Sequence, residues 1–268
     1  MLSNLLIPVE IVVDPYLQNA TPNSIKILWE TDSNSISQVE WGLQLDLSNS
    51  NDGNSFNNYG SSKIHTVELT GLEPNTRYYY RVVVGEDNQF NYSDICSFIT
   101  PPNPVSENPF TLIAMSDMQQ DGSNPNKFNE IVNDGVIDYI SEQYGDNLSE
   151  ELAMVLVPGD LVTTGTSYYQ WQNTFFEPSE NLFSHVPFYP VFGNHEQDTD
   201  YFIKYFDLPN NGTPGYDEHW YYADYSNLRV IGLDSNSGYR VQAQLDWLEQ
   251  VLSDACQNTN IDFVFAQL

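Results

Sequence analysis

The stretch "YPVFGNHEQDTD", residues 189–200, decides how the second half of the chain is read. Tyr189, Val191 and Phe192 read as a buried strand, which breaks at Gly193 and presents Asn194, His195 and Glu196 in a row. Each of these three side chains can bind a metal or move a proton. Two earlier stretches repeat the pattern. "FTLIAMSD" is an apolar run ending in Asp117, and "LAMVLVPGD" is a continuous apolar strand ending in Asp160. Taken singly, a Gly-Asp or Gly-Asn pair is ordinary turn chemistry. Three in order, each after an apolar strand, mark a site, because ligands of open α/β sheets gather where the carboxyl ends of strands converge.

Between these strands the period changes. "NKFNEIVNDGVIDYISEQYG" carries Phe128, Val132, Val136 and Ile140 at helical spacing and stops at Gly145, and "SYYQWQNTFFE" reads as helix. Downstream, "WYYADYSNLRVIGLDSN" reads as a hairpin, "QLDWLEQVLSDA" as a helix and "IDFVFAQL" as another buried strand. Apolar strands alternating with helices predict an α/β layer structure over 110–268, buried on both faces. Residues 1–100 are different. "SIKILWE" alternates Ile25, Ile27 and Trp29 with polar neighbours, and Tyr78, Tyr80, Val82 and Val84 alternate after a turn holding Gly71 and Pro74. Short strands between such turns predict a small all-β sandwich. The four prolines of "TPPNPVSENP" make 101–109 a linker between two domains.

The chain has 268 residues, 37 acidic against 8 basic, and a formal net charge of −29. Such a charge repels polyanions, so nucleic acid and anionic membrane surfaces are excluded as partners. An acidic, Lys-poor surface suits high salt or a cell exterior, and a secreted, cell-surface or periplasmic location is expected. No apolar run reaches membrane-spanning length, and "MLSNLLIPVE" lacks the basic and long apolar regions of an intact signal peptide. Cys96 and Cys256 match no metal spacing and are expected to be free thiols.

Carboxylate, amide and imidazole ligands suit hard or borderline divalent cations. In a two-metal phosphoryl site one carboxylate bridges the cations. Asp160 is the expected bridge, since Gly159 allows close backbone approach, with Asp117 on one metal and Asn194 on the other. A metal-bound hydroxide would attack phosphorus while His195 protonates or stabilises an oxygen. Glu196 is expected to orient these groups or to act as a further ligand. "DMQQDG" mimics the start of a calcium-binding loop, but Phe128 stands where a bidentate Glu is needed. His65, His185 and His219 read as core or surface residues.

Two resemblances follow from these motifs. "PYLQNATPNSIKILWETD" and "GLEPNTRYYYRV" resemble a fibronectin type III domain, with Trp29 in the core and Tyr78 at the corner. "MSDMQ", "PGDLV" and "PVFGNHE", with "LRVIGLDSN" and "QLDWLEQVL" downstream, resemble the calcineurin-type metallophosphoesterases, in their purple acid phosphatase-like branch. The resemblance implies hydrolysis of small phosphate mono- or diesters by two divalent ions, with Asp117, Asp160 and Asn194 as ligands. Two positions depart from the pattern. Thr163 replaces a tyrosine, which favours Zn, Mn or ferrous iron over ferric iron, and Gln119 replaces a histidine, as a ligand or an orienting partner. In the resembled family, histidine motifs follow a strand like "IDFVFAQL". They are expected here from a further C-terminal segment or a companion chain. The rival expectation is a binding or structural protein that retains the fold without the chemistry.

Overall fold

Nine strands build the first half of the molecule: β1 (Ile11–Thr21), β2 (Ser24–Thr31), β3 (Gln38–Gly42), β4 (Asn49–Asp52), β5 (Asn54–Asn57), β6 (Lys63–Thr70), β7 (Arg77–Glu86), β8 (Gln89–Tyr92) and β9 (Cys96–Ile99). They form two antiparallel sheets, β1-β2-β6-β5 and β4-β3-β7-β8, with β9 also paired to β7. This computed structural model describes residues 8–86, 89–104, 106 and 108–268. The signal-peptide reading therefore falls largely on residues outside the described ones. Ile25, Ile27, Trp29, Tyr78, Tyr80, Val82 and Val84 are buried between the sheets, as their alternation predicts. Tyr78 turns back so that its hydroxyl accepts the Glu73 N–H (2.9 Å).

The opposite face of β1, β2 and β6 is not left to water. Val13, Tyr16, Leu28 and Ile64 share a core with the second half of the chain. At the centre of that contact Glu30 is fully buried. It accepts hydrogen bonds from Ser62 Oγ (2.7 Å), Asn58 Nδ2 (2.8 Å), Tyr205 Oη (2.8 Å) and Tyr168 Oη (3.1 Å). A carboxylate removed from water needs such donors to offset its desolvation.

The second half holds a parallel sheet, β10 (Leu112–Ala114), β11 (Met154–Pro158) and β12 (Phe188–Val191), in that order. A second sheet contains β13 (Tyr221–Tyr225), β14 (Leu228–Gly232) and β15 (Phe263–Gln267), with β13 antiparallel and β15 parallel to β14. The two sheets approach closely where β14 ends: a Cβ on Gly232 would lie 2.8 Å from both Val191 and the Tyr221 ring. Tyr221 Oη donates to the Pro190 carbonyl (2.7 Å), and Gln267 Nε2 donates to that of Tyr189 (2.8 Å). Helices over 127–143 and 168–183 have π-wound middles at Glu130–Ile137 and Trp171–Phe176. Both were expected from their spacing, as was the helix Gln242–Gln257.

Two burial expectations are corrected. β15 forms as a strand paired to β14, but Phe263 (57% exposed) and Phe265 (47%) face water, because pairing within a sheet does not by itself cover a strand's faces. β10, paired to β11, is short and only half-buried.

Candidate active site at the strand ends

Asp117, Asp160 and Asn194 each follow one of three adjacent parallel strands, so strand pairing alone brings their loops together. The loops are then tied to one another. Ser116 Oγ hydrogen-bonds both Asp117 Oδ2 (2.8 Å) and the Pro158 carbonyl (2.9 Å). The Gln119 N–H donates to the Asp160 carbonyl (3.0 Å), and Thr163 Oγ1 donates to that of Gln120 (3.1 Å). The His195 N–H donates to Asp160 Oδ1 (3.1 Å).

Glu196 is the fastening. Its side chain has 0% exposure, and its two oxygens accept four backbone N–H groups. Oε2 takes those of Gly193 (2.7 Å) and Asp160 (3.0 Å), and Oε1 takes those of Leu161 (2.7 Å) and Val162 (3.3 Å). Burial holds its pKa above the ordinary carboxylate value, and the four N–H groups offset only part of that rise. With both oxygens so engaged, Glu196 orients the loops; of its two expected roles this is the one its contacts favour. Close approach needs glycine. A Cβ on Gly193 would stand 2.2 Å from Asp160 N and Oδ1, and one on Gly165 would stand 1.9 Å from the Glu196 carbonyl oxygen. Asp117 (φ 56°) and Asp160 (φ 55°) both occupy the left-handed region, which turns their side chains out of the strand direction.

His195 is half-buried, and its Nδ1–H donates to the Thr163 carbonyl (2.8 Å). A carbonyl only accepts, so Nδ1 carries a proton and Nε2 is the free nitrogen. Asn194 is exposed. Gln119 Oε1 is a buried acceptor without a hydrogen-bond partner. Among the described residues, no hydrogen bond engages Asp117 Oδ1 or Asp160 Oδ2. An orphaned amide oxygen and two free carboxylate oxygens are a donor set that suits a hard or borderline divalent cation. Among the described residues no group of three His, Cys, Asp or Glu side chains is gathered for a metal, so such a site would draw on amide oxygens as well.

His219, expected in the core or at the surface, lies in the core and is tied to the loop that follows β12. It is buried, its Nδ1–H donates to the buried Asp234 Oδ2 (2.7 Å), and its ring stacks between Phe192 (4.7 Å) and Tyr239 (3.7 Å). Asn236 Nδ2, held by Asp234 Oδ1 (2.9 Å), reaches the Gly193 carbonyl (3.3 Å). "LRVIGLDSN" was noticed in the sequence, but its pairing with His219 across 15 residues left no periodic signal. His65 and His185 do lie apart from these loops, bonded to Thr31 and Ser37 and to Ser97 respectively. Cys96 and Cys256 are free thiols.

Three loops fixed around two outward-turned aspartates define the class, and residues 110–266 match the calcineurin-like phosphoesterase model. The chain belongs to that family. Residues 13–100 match the purple acid phosphatase N-terminal domain, which sets the branch. The chain is similar to purple acid phosphatase 21 of Arabidopsis thaliana, at 26% identity over 87% of this chain and 51% of that protein. Purple acid phosphatase 18 of the same plant gives 26% over 89% and 52%. Purple acid phosphatase 1 of Ipomoea batatas gives 25% over 73% and 40%. The chain thus spans about half the length of the first two relatives and less of the third. The solved fibronectin type-III domain of human fibronectin type III domain containing protein 3 aligns with 39% of this chain and 93% of its own. Its identity is 15% and its TM-score 0.26, too low to carry an argument.

Proposed function

We propose that the loop cluster hydrolyses small phosphate mono- or diesters, and that its front domain is a fibronectin type III-like sandwich. The observation carrying this reading is the Glu196 clasp, which fixes the Asp160 and Asn194 loops into one unit at the strand ends. Asp117, Asp160, Asn194 and the orphaned Gln119 Oε1 would hold the divalent cations. When bound, these would supply Lewis-acid charge to the phosphoryl oxygens and lower the pKa of a water nucleophile. His195, its Nδ1–H fixed on Thr163, presents Nε2 to hold or deliver a proton at a departing or non-bridging oxygen. The hydroxyl of Thr163 is spent on the Gln120 carbonyl, and with no phenol there Zn, Mn or ferrous iron is the expected metal.

A net charge of −29 opposes anionic substrates at long range, so small esters are favoured over polyanions and added salt raises the rate on anionic ones. It also suits an extracellular or periplasmic setting, and no helix among the described residues is long and apolar enough to cross a membrane. The test is turnover of a chromogenic phosphate ester with added Mn²⁺ or Zn²⁺, beside metal analysis of the folded protein. Turnover that drops by at least about 100-fold in Asp160→Asn is expected. A protein that binds neither metal and turns over no ester is instead the non-catalytic relative.

A further inference from the structure

Gly193 decides where Asn194 points. Asn194 is exposed, and no hydrogen bond engages its side chain among the described residues, so its direction rests on the backbone just before it. The φ and ψ of a residue are rotations between the peptide planes on either side of it, and fixing both planes fixes both angles. Glycine has the widest range of these angles to lose.

Glu196 holds the first plane through the Gly193 N–H (2.7 Å). The second is held from the loop after β14. Asn236 Nδ2 reaches the Gly193 carbonyl (3.3 Å), which belongs to the Gly193–Asn194 peptide, and also the Phe192 carbonyl (3.4 Å). Both contacts are long, so their hold depends on how firmly the amide is itself set. Asp234 Oδ1 sets it, accepting both the Asn236 backbone N–H (2.8 Å) and Nδ2–H (2.9 Å). Asp234 is 1% exposed, and its other oxygen accepts the His219 Nδ1–H (2.7 Å). The His219 ring is wedged between Tyr239 and Phe192, the residue whose carbonyl Asn236 also reaches. Tyr239 closes the circuit, its hydroxyl donating to Asp198 Oδ2 (2.7 Å) on the far side of the same loop.

Building on the function proposed above, we propose that Asn236, set by the buried His219–Asp234 pair, is a positioning residue for the ligand Asn194. Gly193 is then braced twice, by its N–H from Glu196 and by its carbonyl from Asn236. Losing the second brace frees the peptide plane that carries Asn194, while the Glu196 clasp stays intact.

The experiment measures Mn²⁺ affinity by calorimetry in the full chain and in Asn236→Ala, His219→Phe and His219→Asn. Urea midpoints, and ¹⁵N order parameters of Gly193 and Asn194 without added metal, are recorded beside it. Phe keeps a ring between Phe192 and Tyr239 but loses the N–H, whereas Asn keeps an N–H where Nδ1 stood. Affinity is expected to fall by about tenfold or more in Asn236→Ala and His219→Phe, as for other groups that orient ligands, and to stay near wild type in His219→Asn. The order parameters should drop from about 0.85 to below about 0.6 in the first two variants. Unchanged affinity in Asn236→Ala, with only a lower urea midpoint, makes Asn236 merely structural and overturns the proposal. Equal losses in His219→Asn and His219→Phe overturn the part given to the His219 hydrogen bond. If the wild-type chain binds neither Mn²⁺ nor Zn²⁺, the function above fails separately, and the order parameters still decide the brace. Values already below about 0.6 in the wild type, or unchanged in Asn236→Ala, overturn it.

Discussion

Glu196 carries four backbone N–H groups on two oxygens, and that arithmetic makes it sensitive to a change of one atom. In Glu196→Gln one oxygen becomes an NH₂ group, so whichever way the amide faces, two N–H groups meet a donor. Each buried N–H left without an acceptor costs about 1–3 kcal/mol. Urea unfolding is expected to show a loss of about 2–4 kcal/mol. Metal affinity should fall by about 10–100-fold, since the groups orienting ligands typically matter that much. A Glu196→Gln protein with wild-type stability and wild-type Mn²⁺ affinity would show that the clasp positions nothing. Single residues were also the most legible scale. Asp117, Asp160 and Asn194 could be picked out because strand-end polarity is local in sequence. His219 could not, since its partner Asp234 is brought to it by the β13–β14 hairpin.

Among elements, the strand ends of β11 and β12 approach so closely that glycine at 193 is required. Gly193→Ala would force its Cβ against the Asp160 backbone N and against its side-chain Oδ1, which the His195 N–H holds, and overpacking of this kind costs about 1–3 kcal/mol. The expected outcome is a lower unfolding midpoint and lost turnover together. Gly122→Ala, where a Cβ meets nothing within 4 Å, should change neither. Strand and helix existence was legible from period, because β11 and β12 are continuous apolar runs and the 127–143 helix keeps its spacing through a π-wound middle. The burial of β15 was misjudged for a physical reason. An apolar run states what a strand can bury, whereas exposure depends on what packs against its faces, which is a non-local fact.

For the whole molecule, the acid-rich composition turns into a pH dependence. Burial and the neighbouring Asp14 push the Glu180 carboxyl up to about 7, and burial pushes that of Glu218 up to about 8. Between pH 8 and 4.5 the folded chain therefore binds more protons than the unfolded one, and stability rises as pH falls through that window. His65 works in the opposite sense. Buried beneath Trp29 and near Lys63, its imidazole is lowered to about 4, so below pH 6.5 the unfolded chain takes the proton that the folded one refuses. That cost grows to about 3 kcal/mol by pH 4. The melting temperature is expected to be higher at pH 6 than at either pH 8.5 or pH 4, which calorimetric scans at the three values would check. A melting temperature that climbs steadily to pH 8.5 contradicts the assignment.

The left-handed backbone at Asp117 and Asp160 has one more implication, for how this protein would respond to selection. A side chain in that region costs about 1 kcal/mol that glycine avoids, so both positions are locally unfavourable for folding. A library enriched for heat resistance alone, with no demand on turnover, should accumulate Asp117→Gly. The recovered variants should melt slightly higher and hydrolyse nothing.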